Sequence, residues 1–279
     1  MVNVAITGAT KGLGKGYAAE FLKRGHNVAI SGRSQSSVNA ALEDLDSLVN
    51  SDQRVVGFVC DVSNPDDVLA FWNGAKRALG TVDIWINNAG YARTGPPLAE
   101  LSPDELTGMI RTNVTGTMIG ARIALNGMIE QGHGHIYNTL GAGSDGRLIS
   151  GMTGYGSTKR AIKYFSEALR REAEKSGVKV STLNPGTTIT EGMLREIRAL
   201  PPDRRDMILK PVNIMGDHVS TNTPWLVERI LENEKSGANI RWLSTSVLLG
   251  RFVKSLFVKR DVMSDYETLL NADDEHARA

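Results

Sequence analysis

Tyr155 and Lys159 are the two residues whose types and spacing best suit acid–base chemistry. They lie four residues apart in the segment YGSTK, so on a helix their side chains share one face with stems about 5–6 Å apart. A phenol normally titrates near 10, and an opposite charge within reach lowers that pKa by roughly 1–3 pH units. The pair therefore predicts a tyrosine that exchanges a proton near neutral pH. Taken alone, the spacing also fits two exposed polar residues on a helix.

Apolar runs and helical patterns alternate along the first two thirds of the chain. Strands are predicted at residues 2–6, 28–31, 55–60, 82–86, 136–139 and 178–183, separated by segments with apolar residues at helical spacing. The sequence SPDE at 102–105 predicts the start of a long helix. Strands joined by such helices pair in parallel through right-handed crossovers. We therefore predict an α/β fold with a doubly wound, Rossmann-like parallel sheet in three α/β/α layers, and ligands at the carboxyl ends of its strands.

A glycine-rich turn, TGATKGLG at residues 7–14, joins the first strand to the first helix. Glycines there let the backbone approach a pyrophosphate, which would lie at the positive end of the following helix. The spacing is G-x-x-x-G-x-G, which differs from the common dinucleotide fingerprint, and a simple tight turn is the alternative. Its place between a strand and a helix predicts a cofactor site.

Arg33 follows the second strand, where an acidic residue would suit the free ribose hydroxyls of NAD. An arginine there suits the additional phosphate of NADP, and Lys11 offers a second cation on the same side. The sequence therefore predicts NADPH as the cofactor. The alternative is that both side chains are ordinary solvated cations.

Several ordered motifs resemble the short-chain dehydrogenase/reductase family over about residues 2–190. They are the turn at 7–14, Asp61, NNAG at 87–90, Asn113, Tyr155 with Lys159, and Pro185-Gly186 with Thr190. The resemblance implies that Tyr155 donates the proton in reduction and that Lys159 binds the nicotinamide ribose and lowers the pKa of the tyrosine. It also implies that Asn113 holds a water that relays protons inward.

The same resemblance implies a cofactor site in which Asp61 meets the adenine and Thr190 contacts the nicotinamide side. Family members form homo-oligomers, which we expect here as well. The cofactor-binding residues are then Gly8, Thr10, Lys11, Gly12, Leu13, Gly14, Arg33, Asp61, Val62, Asn88, Ala89, Gly90, Tyr155, Lys159, Pro185, Gly186, Thr188 and Thr190.

One family residue is out of place. The family usually has a serine two or three residues beyond the position of Asn138, where its hydroxyl holds the substrate carbonyl, but Gly141 occupies that position here. Ser144, on a glycine-rich loop, is the candidate replacement and completes a catalytic set with Tyr155, Lys159 and Asn113. The alternatives are Thr139 or no second hydroxyl.

Three stretches narrow the resemblance to the chlorophyll b reductases: DIWINNAG at 83–90, GAGSDGR at 141–147 and YGSTKR at 155–160. Those enzymes reduce the formyl group of chlorophyll b to a hydroxymethyl group with NADPH. The resemblance implies a flat, apolar substrate, either chlorophyll b or chlorophyllide b. Two alternatives stay open: a general aldehyde or ketone reductase of the alcohol or hydroxysteroid type, and a protein that binds NADP without turnover.

Composition excludes several other functions. The formal charge of +1 gives no indication of a nucleic-acid partner. The single Cys60 cannot form an internal disulfide and suits a reducing compartment, and a strand that begins at residue 2 leaves no room for a signal or transit peptide. We expect a cytoplasmic protein, and peripheral contact with a membrane stays open. His133 and His135 have no further ligands clustered with them, so we expect no metal site.

We expect residues 1–279 to form one NADP-binding catalytic domain with two additions. Residues 187–224 would form a substrate-binding lid, since an apolar, methionine-bearing segment follows Pro185; packing into the core or a subunit interface is the alternative. Residues 245–279 would form an amphipathic extension that could contact an anionic membrane, with core or dimer packing as the alternative. Its apolar stripe is Leu249, Phe252, Val253, Leu256 and Phe257, and its cations are Arg251, Lys254, Lys259 and Arg260.

Overall fold

The secondary structure is known for residues 1–255, 257–258 and 260–266, which a computed structural model of the chain describes. The strands are β1 Asn3–Ile6, β2 Asn27–Gly32, β3 Val55–Val59, β4 Ile84–Asn87, β5 Gly134–Thr139, β6 Val178–Asn184, β7 Thr187–Ile189, β8 Gly216–His218 and β9 Asn239–Arg241. The helices are α1 Gly12–Lys23, α2 Gln35–Asp46, α3 Pro65–Leu79, α4 Pro103–Met109, α5 Gly116–Gln131, α6 Thr153–Glu172, α7 Glu191–Arg198, α8 Pro202–Met215, α9 Val219–Glu232 and α10 Thr245–Ser255.

Seven of these strands form one parallel sheet in the order β3-β2-β1-β4-β5-β6-β9. The six strands predicted from the sequence are confirmed, with ends shifted by one or two residues. The seventh, β9, is three residues long and lies at the edge beside β6. The strand order reverses between β1 and β4, and this reversal opens a crevice at the carboxyl ends of the strands.

Helices cover both faces of the sheet and give the predicted three layers. Phe21 of α1 and Leu226 of α9 pack on one face. On the other face, Phe71 and Trp72 of α3 pack against Trp85 of β4, with ring centroids 5.2 and 5.8 Å apart. Buried aromatic rings of this kind supply much of the energy that holds a helix against a sheet.

The long helix predicted from residue 102 is present but changes geometry along its length. Ser102 and Glu105 form a capping box at the start of α4, as the sequence predicts. Residues Ile110–Thr115 form a π-helical turn between α4 and α5. Such turns often mark functional sites, and this one contains Asn113.

A second, two-stranded parallel sheet of β7 and β8 encloses the segment predicted to be a lid. Within this segment, α7 and α8 are separated at Pro201-Pro202, and Leu194 and Ile197 of α7 are buried in a small cluster of their own. That cluster also contains Met263, from near the C-terminus. The apolar residues of α7 therefore form a local core under the segment, whereas Met207 of α8 is 73% exposed.

Asp217 of β8 holds the C-terminal part of the chain in place. Its buried carboxylate accepts hydrogen bonds from Trp242 Nε1 at 2.7 Å, Arg251 Nη1 at 2.8 Å and Arg260 Nη2 at 2.6 Å. A buried carboxylate needs such partners to offset its lost hydration. Two of the four cations of the predicted extension, Arg251 and Arg260, are thus engaged by Asp217, while membrane contact stays a prediction.

The apolar stripe of the C-terminal extension is not part of the core. Leu249, Phe252, Val253 and Phe257 are 66%, 45%, 51% and 82% exposed, so the core-packing interpretation is wrong for these four residues. Residues 256, 259 and 267–279, which belong to the predicted extension, lie outside the described residues. No helix in the described part of the chain is long and apolar enough to cross a membrane.

Candidate active site

Tyr155 and Lys159 lie in the first two turns of α6, beside the carboxyl end of β5. The Nζ atom of Lys159 is 5.6 Å from the centroid of the Tyr155 ring, so the predicted juxtaposition is present. Lys159 is only 4% exposed, and its Nζ donates a hydrogen bond to the Thr139 carbonyl at 3.0 Å. The last residue of a central strand thus fixes the ammonium next to the phenol.

Burial dominates the titration of both groups. It raises the pKa of Tyr155 to about 12 and lowers the pKa of Lys159 to about 8, because each charged form loses hydration. The net shift of the Tyr155 pKa is therefore upward, opposite to the direction expected from the lysine alone, because burial outweighs the attraction of the ammonium for the phenolate. A phenol with this pKa keeps its proton at neutral pH, which is the state that a proton donor requires.

Asn113 connects the π-helical turn to α6. Its Nδ2 donates to the Thr158 hydroxyl at 3.0 Å and to the Tyr91 carbonyl at 2.8 Å, and its Oδ1 accepts from the Tyr91 amide at 2.7 Å. Asn113 is fully buried and bonds the residue directly before Lys159. The fold thus brings Asn113 to the catalytic helix, while its role in holding a water stays a prediction.

Gly141 lies against the phenol of Tyr155. A Cβ atom built on Gly141 would be 2.5 Å from the Tyr155 hydroxyl oxygen and 3.2 Å from its Cζ. The position that carries a serine in the wider family is thus already filled by the tyrosine.

Two hydroxyls remain as candidates for holding a substrate carbonyl. Ser144 is 2% exposed in the loop that follows β5, and its carbonyl accepts a hydrogen bond from Arg160 Nη1 at 3.1 Å. Thr139 is 8% exposed, and its Oγ1 is buried without a hydrogen-bond partner among the described residues. The role of Ser144 stays a prediction, and Thr139 stays its alternative.

The glycine turn leaves no space for side chains where it approaches other main chain. A Cβ on Gly8, which has a φ of +62°, would be 2.7 Å from the Ala89 Cα. A Cβ on Gly14 would be 2.5 Å from Asn88 Nδ2 and 2.6 Å from the Gly8 carbonyl oxygen. Glycine is therefore required at both positions, by its φ at Gly8 and by close contact at both.

Asn88 joins the turn to the end of β4 across the crevice. Its Nδ2 donates to the carbonyls of Thr7 and Gly8 at 3.1 and 3.0 Å, and its amide and that of Ala89 donate to Thr7 Oγ1. The next residue, Gly90, lies close to Asn113, whose Oδ1 would be 3.6 Å from an added Cβ. Asn88 therefore acts first as a structural clamp on the turn.

The start of α1 has the features of a phosphate site. Lys11 precedes the helix, is exposed, and makes no side-chain cap, so the first N–H groups of α1 face the turn without a capping side chain. Leu13 packs on the core and anchors this first turn. Gly12 lies beneath Thr190, whose Cγ2 would be 3.2 Å from an added Cβ. The arrangement fits a cofactor pyrophosphate.

The adenosine end of the predicted site lies at the ends of β2 and β3. Thr10 packs on Gly32, where an added Cβ would be 2.3 Å from its Cγ2, and the exposed Arg33 follows. Asp61 Oδ1 accepts hydrogen bonds from the amide and hydroxyl of Ser63 at 2.9 and 2.8 Å. These bonds, with Arg111 and Arg33 nearby, lower the pKa of Asp61, so it is a carboxylate able to accept a hydrogen bond.

Val62, beside Asp61, is buried under the first residue of α5. Its Cγ2 would be 2.7 Å from a Cβ on Gly116. The contact holds the loop after β3 against α5. Asp61 and Val62 are therefore placed at the edge of the crevice by packing as well as by hydrogen bonds.

A residue that the sequence analysis missed, Asn222 of α9, supports the loop after β6. Its Nδ2 donates to the Pro185 carbonyl at 3.1 Å and to Thr188 Oγ1 at 2.6 Å. Asn222 is fully buried, and its Oδ1 has no partner among the described residues. Gly186 has a φ of +73° and packs on Leu243. An asparagine inside a helix carries no sequence signal for such a role.

Gly95, in the loop after β4, lies where several segments of the chain meet before α6. Gly95 donates its amide to the Gly151 carbonyl at 2.8 Å, and a Cβ on Gly95 would be 2.8 Å from Leu200 Cδ1 and 3.2 Å from Ile208 Cδ1. Three segments thus converge here: the loop after β4, the loop before α6 and the α7–α8 region. We call their exposed apolar residues the mouth residues: Leu98, Leu148, Ile149 and Met207, at 49%, 100%, 44% and 73% exposure.

Comparisons with known proteins agree with this geometry. Residues 2–200 match the family described as short chain dehydrogenase. Chlorophyll(ide) b reductase NOL of Oryza sativa subsp. japonica, described as chloroplastic, is 40% identical over 226 residues, covering 79% of this chain and 66% of that protein. Its counterpart in Arabidopsis thaliana is 41% identical over 194 residues, covering 68% and 55%. The probable chlorophyll(ide) b reductase NYC1 of Arabidopsis thaliana is 38% identical over 207 residues, covering 69% and 42%.

The chain thus spans between 42% and 66% of the length of these three relatives. Among solved structures, levodione reductase matches with a TM-score of 0.74 and 23% identity, covering 86% of this chain and 95% of that one. NAD⁺-bound xylitol dehydrogenase matches with a TM-score of 0.75 and 22% identity, covering 86% and 96%. At these identities the structures support the fold alone.

Proposed function

Since the chain belongs to the short-chain dehydrogenase family, we propose that it is an NADPH-dependent reductase whose substrate is the formyl group of chlorophyll b or chlorophyllide b. The observation that carries the reaction type is the buried pair of Tyr155 and Lys159, fixed by the Thr139 carbonyl at the mouth of a glycine-lined crevice. The substrate is supported by the relatives at about 40% identity that are named chlorophyll(ide) b reductases.

The chain's own part in the reaction is the transfer of a proton. The nicotinamide cofactor, when bound, would supply the hydride that forms the new C–H bond. The carbonyl π electrons then move onto oxygen, and Tyr155 Oη gives that oxygen its proton, so that the formyl group becomes a hydroxymethyl group. The Lys159 ammonium stabilises the phenolate left behind, which solvent reprotonates before the next turnover.

NADPH is preferred in this proposal because two cations lie at the adenosine end of the crevice. Arg33 directly follows Gly32, on which Thr10 packs, and Lys11 immediately precedes α1. Both side chains are exposed, so both are free to turn toward a ribose phosphate. A guanidinium binds such a phosphate through two parallel hydrogen bonds.

The mouth residues support a large apolar substrate. An exposed cluster of apolar side chains at the entrance of a cleft often marks a binding surface. A flat macrocycle, too large to enter the crevice completely, would rest on Leu148 and Met207 while its formyl group reaches Tyr155. A reductase of small aldehydes or ketones has no need of such a rim, whereas a hydroxysteroid reductase would also use one, so the substrate panel below includes a ketosteroid.

A comparison of substrates tests this proposal. NADPH oxidation would be followed with chlorophyll b, chlorophyllide b, a ketosteroid, and a panel of simple aldehydes and ketones. We expect turnover of the pigments, and we expect Leu148→Ser to raise KM for them while leaving KM for a small aldehyde unchanged. Turnover of simple carbonyls or of the ketosteroid but not of the pigments would replace this proposal by a general carbonyl reductase. Binding of NADPH without any turnover would make the chain a binding protein.

The exposed stripe of α10 is proposed to be a contact surface between copies of the chain. Leu249, Phe252 and Val253 are 66%, 45% and 51% exposed on one helix, and apolar helix faces of this kind are usually covered in an assembly. Sedimentation velocity should show an oligomer that dissociates in Leu249→Glu. A monomeric wild type that sediments with anionic vesicles at low salt would favour a membrane contact.

A further inference from the structure

Gly141 is the position where this chain departs most clearly from the family's catalytic pattern. A Cβ there would be 2.5 Å from the Tyr155 hydroxyl oxygen, 3.2 Å from Tyr155 Cζ and 3.4 Å from Lys159 Cε. All three of these atoms belong to the catalytic pair. The space that a side chain at position 141 would occupy is therefore taken by the phenol of Tyr155.

The main chain does not require glycine at this position. The neighbouring loop residues Gly143 and Gly146 have φ angles of +86° and +88°, which favour glycine for backbone reasons. Gly141 does not have a positive φ. A side chain at position 141 would therefore be excluded by lack of space and not by the backbone conformation.

We propose that Gly141 is a positioning residue for Tyr155, because its missing side chain leaves the volume in which the phenol hydroxyl lies beside Lys159. This inference rests on the proposed function, in which Tyr155 donates the proton. A side chain at 141 moves the hydroxyl away from the place where it meets the carbonyl. Installing the serine that the wider family has at this position impairs the enzyme.

The contact distances give the size of the effect. Non-bonded heavy atoms normally stay about 3.5 Å apart, so a Cβ at 141 moves the phenol oxygen by about 1 Å. The displaced group is the end of a side chain and not main chain. A misplacement of about 1 Å in a reacting group costs about 10²-fold in rate. We therefore expect turnover to fall while folding and cofactor binding persist.

The test uses the 279-residue chain with Gly141→Ala and Gly141→Ser. Gly156→Ala is the matched control, since its added Cβ makes only ordinary contacts, 3.6 Å from the Gly143 Cα and 3.8 Å from the Ala142 carbonyl oxygen. Turnover is measured on whichever carbonyl the wild type reduces, together with the NADPH dissociation constant and Tm. We expect kcat to fall about 10²-fold in both Gly141 variants, with KM, NADPH affinity and Tm close to wild type. Gly156→Ala should match the wild type throughout, and a Gly141→Ser enzyme with wild-type kcat would overturn the inference.

A second readout separates this inference from the proposed function. In protein labelled with ¹³C at tyrosine Cζ, the Tyr155 resonance is identified by its loss in Tyr155→Phe. We expect this resonance and its titration, with a pKa of about 12 in the wild type, to shift in Gly141→Ala and to stay unchanged in Gly156→Ala. An unchanged resonance and titration in Gly141→Ala would refute the positioning role. If the wild type reduces none of the carbonyls, the proposed function fails, and the NMR result still decides the role of Gly141.

Discussion

The Lys159 ammonium donates a hydrogen bond to the main-chain carbonyl of Thr139 at 3.0 Å. This bond joins the second turn of α6 to the last residue of β5. The position of the ammonium is thus set by where the strand ends as well as by the four-residue spacing to Tyr155. Because Lys159 is 4% exposed, its charge acts on the phenol across a short distance with little screening by water.

Turnover should decrease as pH rises through about 8. Burial lowers the pKa of Lys159 to about 8, so the ammonium that stabilises the phenolate is lost above that pH. The pH profile of kcat should show this decrease in the wild type. In Lys159→Arg, whose guanidinium stays charged, we expect a lower rate than in the wild type but no decrease of kcat near pH 8. A wild-type profile that stays flat to pH 10 would contradict the assignment.

The same titration should not destabilise the fold. The folded-state pKa of Lys159 is below its unfolded value, so between about 8 and 10.5 the unfolded chain binds more protons. Linkage then makes the contribution of Lys159 to the free energy of unfolding rise with pH in this window. Urea unfolding of wild type and Lys159→Met at pH 7 and 9.5 measures this contribution. A wild type that loses more stability than Lys159→Met over this interval would show the opposite sign.

Asn222 should support cofactor binding indirectly, by holding the loop after β6 in place. Asn222→Ala removes the hydrogen bonds to Thr188 Oγ1 and to the Pro185 carbonyl and should cost about 1–3 kcal/mol of stability. The loosened loop should also weaken NADPH binding, which fluorescence titration would measure. Thr221→Ala, at an exposed position one residue earlier in α9, is the control. Unchanged NADPH affinity in a folded Asn222→Ala protein would limit Asn222 to a purely structural role.

Arg33 should determine the choice between NADPH and NADH. A charge-assisted hydrogen bond contributes about 1.5–3 kcal/mol, so Arg33→Ala should weaken NADPH binding about 10- to 100-fold and leave NADH binding nearly unchanged. Lys11→Ala should have the same direction of effect. Arg77→Ala, an exposed change in the last turn of α3, should alter neither dissociation constant. A wild type that prefers NADH would defeat the NADPH assignment before any variant is made.

The sheet was predictable because each of its first six strands is an apolar run followed by a turn and a helical pattern. The predicted site residues at the ends of β1, β2, β3 and β4 follow from that topology. Strand β9 was missed because Asn239–Arg241 has one apolar residue in three, too short a pattern to recognise. The strands β7 and β8 are equally short, and they pair with each other although residues 190–215 lie between them in the sequence.

The electrostatics of the site could not be read from residue spacing. Four residues of separation predict that Tyr155 and Lys159 meet, but the direction of the tyrosine pKa depends on burial, which the fold creates. The contact of Gly141 with the phenol likewise joins residues 14 positions apart through two different elements. The ion pairs of Asp217 could not be predicted from spacing either, since its partners Arg251 and Arg260 lie more than 30 residues later in the sequence.

Turnover by Tyr155→Phe tests the central claim most directly. The change keeps the ring and removes only the hydroxyl that would donate the proton, and loss of a general acid costs about 10²–10⁴-fold in rate. With NADPH and chlorophyllide b, the wild type should form the hydroxymethyl product. Tyr155→Phe should still bind NADPH and turn over at least about 10²-fold more slowly. A Tyr155→Phe protein that forms the product at the wild-type rate would contradict the account.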